Sequence, residues 1–148
     1  TLEAVYTPFL GLMVPTEVIC RVGLPREDFF LWADDVEYSL RIRDAGLSIR
    51  YVPDSRIRHP LQRRRKLPLV DRTVLDAPLW KQYYGARNEI YMYSQRGEMK
   101  PLLARLVISA LTFWGDEDRR AAASMLLRAI HDGFSGKLGR GPLPGDAR

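Results

Sequence analysis

The chain has 148 residues, 46% of them hydrophobic and 28% charged, which supports one domain with a real core and excludes a disordered chain. No apolar run reaches the roughly 18 residues of a membrane-spanning helix; the longest, residues 102–114, is too short and contains Arg105. The net charge is +5 and the pI about 9.6, with six Lys or Arg and no acid gathered in residues 56–66, a run suited to a solvated loop or to an anionic partner.

No secretory signal opens the chain, and it begins with Thr1 in an apolar segment, so a piece of a longer polypeptide is expected. Residues 5–14, "VYTPFLGLMV", are rich in β-branched and aromatic types and predict a buried strand, with Gly11 permitting a close approach. Pro15 opens a short helix over residues 16–22, stopped by Gly23. Cys20 on that helix has no second cysteine to pair with, which fits a reducing compartment, and is expected as a small buried hydrophobe.

A loop over residues 24–33 leads into a second helix, 34–45, with Gly46 as its C′ residue. "SIRYVP" and "RIRH" predict short strands on either side of a "PDS" turn. Residues 60–78 hold three prolines and read as loop. Three helices follow, over residues 79–95 (stopped by Gly97), 100–114 and 116–131. The Gly/Pro-rich tail from Gly133 is predicted to fray. The plan is a mixed α/β segment, residues 1–66, followed by a helical segment, 67–148. So few strands cannot complete a nucleotide-binding sheet of βαβ units.

The stretch "FFLWADDVE" raises a chemical question. Asp34 is expected to cap the second helix with Glu37 three residues on, and Glu37 to pair with Arg41. One cap is enough, which leaves Asp35 over. Its neighbouring charge and the desolvation beside Phe29, Phe30 and Trp32 raise a carboxylate's pKa, the setting of a general base. A second cap-region acid and a catalytic base are both open at this point.

His59 closes "RIRH", where an extended backbone puts it on one face with Ile57. It is either a structural histidine or a ligand to a bound ion, and no second ligand lies nearby at metal spacing. "DED", residues 116–118, fits D-x-D but is expected to cap the last helix. In "PLWKQYYGARNEIYMYSQ", Leu79, Tyr83, Arg87 and Ile90 follow a helical period and predict a docking face, with Arg87 and Asn88 as buried donors.

Residues 9–59, with F-x-W-x-D-D-x-E, G-x-x-I-x-Y-V-P and a terminal His, together with "YYGARN" at 83–88, resemble the acceptor-side half of family 2 glycosyltransferases. The likeness is greatest to the bacterial branch that includes rhamnosyl- and galactofuranosyltransferases. The resemblance implies an α/β chain that is the C-terminal part of a GT-A, Rossmann-like domain followed by a helical segment. It implies an inverting transferase moving a sugar from a nucleotide-sugar donor to a glycan or lipid-linked acceptor of the cell envelope. Asp35 would be the catalytic base, Asp34 and Trp32, with Gly11, would meet the acceptor, and His59 would join an upstream D-x-D in holding Mg²⁺ or Mn²⁺.

That D-x-D and the nucleotide-binding units are not in these residues, so the 148 residues alone are expected to be inactive. Lys66 stands where polymerising synthases have the tryptophan of Q-x-x-R-W, so processivity is not inferred. Arg63, Arg64 and Arg65 are expected to meet phosphate groups of the donor or of a lipid-linked acceptor. The implied location is cytoplasmic, at the inner face of the plasma membrane, with peripheral contact to anionic lipid. The rival class is a basic helical module that binds nucleic acid or an anionic membrane through residues 56–66. Nucleic acid is not expected, because the basic run has no interleaved aromatics.

Overall fold

The structure, a computed structural model, describes residues 2–60, 62–67 and 69–143. About half of the chain is helical, and two small antiparallel sheets complete it. The chain forms two compact units, one of Thr1–Glu27 with Ala33–Pro60 and the other of Asp28–Trp32 with Leu61–Arg148.

In the first unit, β1 (Leu2–Ala4) pairs antiparallel with β2 (Ile49–Tyr51), Leu2 opposite Tyr51 and Ala4 opposite Ile49. Helix α1 (Thr16–Val22) and helix α2 (Asp34–Asp44) supply the rest. Tyr38 and Ile42, one turn apart on α2, meet Ile49 in a small core closed by Leu12, Val14, Val18 and Val22. Pro15 precedes α1, and the Gly23 N–H closes it on Ile19 O at 2.8 Å. Helix α2 ends in a Schellman motif: Gly46, at φ 76°, donates to Arg43 O, and Leu47 donates to Ile42 O. Glu37 and Arg41 form the expected ion pair, 2.9 Å apart. The same guanidinium donates to Val22 O at 2.6 Å and Leu24 O at 3.1 Å, so a helix-surface pair also ties α2 to the end of α1.

Three expectations in this unit are corrected. Residues 5–14 are not a strand: Pro8 lacks a ladder donor, Gly11 lies at φ 78°, and the Thr7 N–H bonds the Ser39 hydroxyl instead of a neighbouring strand. "RIRH" is also irregular, and residues 51–60 are exposed throughout, so no partner strand or core holds it extended. Cys20 is exposed, because α1 turns Val18 and Val22, not Cys20, toward the core.

The second unit is a three-helix assembly of α3 (Leu79–Gln95), α4 (Met99–Trp114) and α5 (Arg119–Ser135). Residues 82–88 of α3 are buried in unbroken succession, so this helix lies at the centre. Tyr83, Tyr84, Ala86, Phe113, Ala122, Met125 and Ala129 form the core. Asp118 caps α5, accepting the Ala121 N–H at 3.0 Å, which agrees with the reading of "DED" as a cap. Among the described residues no helix is long and apolar enough to cross a membrane.

Three further corrections concern this unit. The segment read as loop holds a hairpin, β3 (Arg64–Lys66) against β4 (Thr73–Leu75). Helix α5 starts at Arg119, after its cap, and runs past His131 to Ser135. The tail does not fray over its described part, to residue 143. Gly139 N–H donates to Asp28 O at 2.6 Å, Gly141 N–H donates to the Tyr84 hydroxyl at 2.7 Å, and Pro142 is buried. Residues 144–148 of that predicted tail lie outside the described residues.

Tyr83 links α3 to α5 by donating its hydroxyl to Asp132 Oδ2 at 2.6 Å. Burial and that bond push the phenol up to about 12. Burial works against the Asp132 charge, but the hydrogen bonds from Tyr83 and His131 together with the Lys137 and Arg128 charges outweigh it and hold the carboxyl below its ordinary value. The Tyr83 contribution to stability is therefore complete below the ordinary tyrosine value of 10.0 and is lost as pH rises through about 12. Asp132 contributes above 3.8 and loses that contribution as pH falls. Denaturant titrations are expected to show wild type losing stability more steeply than Tyr83→Phe between pH 10 and 12. Equal slopes would contradict the linkage.

Candidate functional site

The loop before α2 is held in an uncommon backbone conformation. Phe30, Trp32 and Ala33 all have positive φ, at 61°, 65° and 64°. Each non-glycine residue in this left-handed region costs roughly 1–2 kcal/mol, and such strain persists only where the surroundings impose it.

Within the second unit, α3 imposes it on Asp28–Trp32. Asn88 Nδ2 donates to the carbonyls of Phe29, Leu31 and Trp32 at 2.9, 3.0 and 2.8 Å, two N–H bonds shared among three acceptors. Arg87 donates to Phe29 O at 3.1 Å, to Gly139 O at 2.7 Å and to Asn88 Oδ1 at 2.9 Å, which fixes the amide's orientation. The guanidinium also lies over the rings of Tyr83 and Tyr84, 5.5 and 4.9 Å from their centroids.

Gly85 provides the seat for Trp32. A Cβ there would stand 2.8 Å from Trp32 Cε3, so the indole packs where only glycine leaves room. Phe30 packs against Tyr84 with the rings tilted by 45° and their centroids 5.0 Å apart. Each residue of "YGARN" thus has a physical role. Tyr84 and Ala86 fill the core, Gly85 seats Trp32, and Arg87 and Asn88 hold the loop carbonyls.

The chain passes from Trp32 directly into Ala33, the N-cap of α2. This corrects the expected capping box. Ala33, not Asp34, is the cap; it makes no side-chain bond, and its carbonyl accepts the Glu37 N–H at 2.9 Å. Glu37 turns to Arg41 instead of back to the cap. Asp34 and Asp35 are the first two helical residues.

The carboxylate that bonds backbone is Asp35, whose Oδ1 accepts the Val36 N–H at 2.8 Å. Asp35 is half-buried. Burial raises its pKa above the ordinary carboxylate value, the Val36 N–H works against this, and the Asp34 charge adds to the rise. A half-buried carboxylate of raised proton affinity, oriented by one backbone bond, is able to take a proton from a hydroxyl.

Gly11 does allow a close approach, by the Ile57 side chain: a Cβ there would overlap Ile57 Cδ1. His59, two residues further on, is exposed. Arg63 and Arg64 are exposed, whereas Arg65 donates to Thr112 O and to Gly115 O at 3.0 Å, capping the carbonyl end of α4. An open depression of about 560 Å³ in the second unit includes Arg65 but none of the other expected site residues.

Among the described residues, no group of three or more His, Cys, Asp or Glu is arranged to hold a metal ion. No family model matches the chain, and neither a curated protein nor a solved structure matches it.

Sequence reasoning missed the seat at Gly85 and the acceptors of Asn88. The signal available was a glycine inside an otherwise strong helix, two and three residues before the polar pair Arg87 and Asn88.

Proposed function

We propose that the chain is the acceptor-side part of an inverting glycosyltransferase with a GT-A domain, in which Asp35 takes the proton from the acceptor hydroxyl. Attack of that oxygen on the anomeric carbon forms the glycosidic bond. The nucleoside diphosphate leaves with the electron pair of the bond that breaks, and the anomeric configuration inverts. Asp34, and Trp32 on the family resemblance, contact the acceptor sugar. The donor half, with its D-x-D, belongs to a segment these 148 residues do not contain. Mg²⁺ or Mn²⁺ is proposed as a partner with most of its ligands there and His59 as one more. The acceptor is a glycan or lipid-linked glycan of the cell envelope, and the place of action is the cytoplasmic side of the plasma membrane.

The observation that carries this reading is Asp35 itself: half-buried, raised in pKa and oriented by Val36 at the head of α2. A capping role does not call for it, because the cap is Ala33. The test is a transfer assay on the polypeptide that carries this segment with its donor half. It uses a panel of nucleotide sugars, a glycan acceptor and Mg²⁺ or Mn²⁺. Sugar transfer with inversion is expected for at least one donor. Failure across the panel by a folded protein would sink the proposal.

A further inference from the structure

Every exposed position of α4 is apolar except Lys100. Met99, Leu103, Val107 and Trp114 are 59, 56, 57 and 66% exposed, and Ala110 lies among them. Spacings of four, four, three and four residues place all five on one stripe. The stripe runs the length of a 16-residue helix, about 24 Å. The opposite face, with Leu102, Ser109 and Phe113, is buried. A contiguous apolar surface of this extent marks an interaction site.

Charge selects the partner. The second unit holds 16 Lys and Arg against 10 Asp and Glu, whereas the first holds 7 against 8, so the positive excess lies in the unit that contains α4. The stripe carries no acid. Lys100 sits near one end, and at the other the Arg119 guanidinium lies 5.2 Å over the Trp114 ring. Lys66 lines the depression beside Trp114, where Asp116 and Glu117 share the wall. A second copy of the chain would bring like charge against this face. An anionic bilayer brings the opposite charge and an apolar interior together.

We infer that α4 docks on an anionic phospholipid bilayer. Met99, Leu103, Val107 and Trp114 enter the acyl boundary, and Lys100 and Arg119 reach the headgroups. The inference rests on the helix surface and does not depend on the role of Asp35.

The test mixes the full chain with phosphatidylcholine vesicles, with and without phosphatidylglycerol. Wild type is expected to sediment with the anionic vesicles, less so as salt rises. The Trp114 emission should shift to the blue on binding, a shift missing in Trp114→Phe. Leu103→Glu combined with Val107→Glu alters only exposed positions and is expected to bind at least about tenfold more weakly with an unchanged unfolding midpoint. The inference is overturned if wild type ignores anionic vesicles, if the double variant binds equally, or if the blue shift persists in Trp114→Phe. It is also overturned if the stripe instead supports a dimer that the double variant dissolves.

Discussion

Asp35→Asn is expected to lower sugar transfer by about 10²–10⁴-fold while leaving the chain folded, the usual size of a lost general base. The two consequences separate catalysis from architecture. Asparagine keeps an oxygen able to accept the Val36 N–H, so the local bond survives. Burial raises the Asp35 pKa in the folded chain, so the stability linked to its protonation is present below 3.8 and is lost as pH rises through the folded value. At neutral pH the ionised group thus weakens the fold, and the neutral amide should leave the chain at least as stable as wild type. A helix-end role alone gives the reverse pattern: Asp35→Ala would cost about 0.3–1 kcal/mol of stability with turnover intact. Turnover and denaturant midpoint, measured on the same preparations, distinguish the two.

Asn88→Ala is expected to destabilise the second unit by about 2–4 kcal/mol, since buried carbonyls lose their donor and a strained loop loses its restraint. Asn88 is fully buried, and its amide serves three carbonyls of the segment that contains Phe30 and Trp32 at positive φ. Asn88→Asp is the sharper variant. It matches the shape but turns acceptor oxygens toward acceptor carbonyls, so it should be at least as harmful as alanine. Chemical denaturation reads both. Tolerance of aspartate would show that shape, and not donation, holds the loop.

The helices were legible where local chemistry decides them. Pro15 and Gly23 bracket α1, Gly46 ends α2, and Gly97 follows α3, whose bounds, Leu79–Gln95, coincide with the sequence reading. The helical period of Leu79, Tyr83, Arg87 and Ile90 marked a docking face that is buried at the last three and partly buried at Leu79, although residues 82–88 are buried on every side and not on that face alone.

The errors have physical causes as well. Strands of three residues are too short to display a period of two, so β3 and β4 were hidden in a basic, proline-containing stretch. Residues 5–14 have strand-like side chains, but Pro8 and Gly11 and a backbone bond to Ser39 take the segment elsewhere. The tail is held through the backbone of Gly139 and Gly141, and composition says nothing about such bonds.

At the candidate site, the expectation that burial and a neighbouring charge raise a carboxylate's pKa in this stretch agrees with the raised pKa of Asp35. The left-handed cap at Ala33 had no local sign. A non-glycine residue enters that region when its surroundings require it, and the donors that hold the preceding loop sit 56 to 59 residues away on α3.

The most direct test of Asp35 as the base is the pH dependence of kcat/KM for sugar transfer, measured for wild type and Asp35→Asn. Wild type is expected to lose activity on the acid side along a limb whose pKa lies above the ordinary 3.8 of a carboxylate, because the ionised form is the active one. In Asp35→Asn the residual rate should be lower by orders of magnitude and that limb should be gone. An unchanged limb with near-normal turnover in the variant would contradict the account.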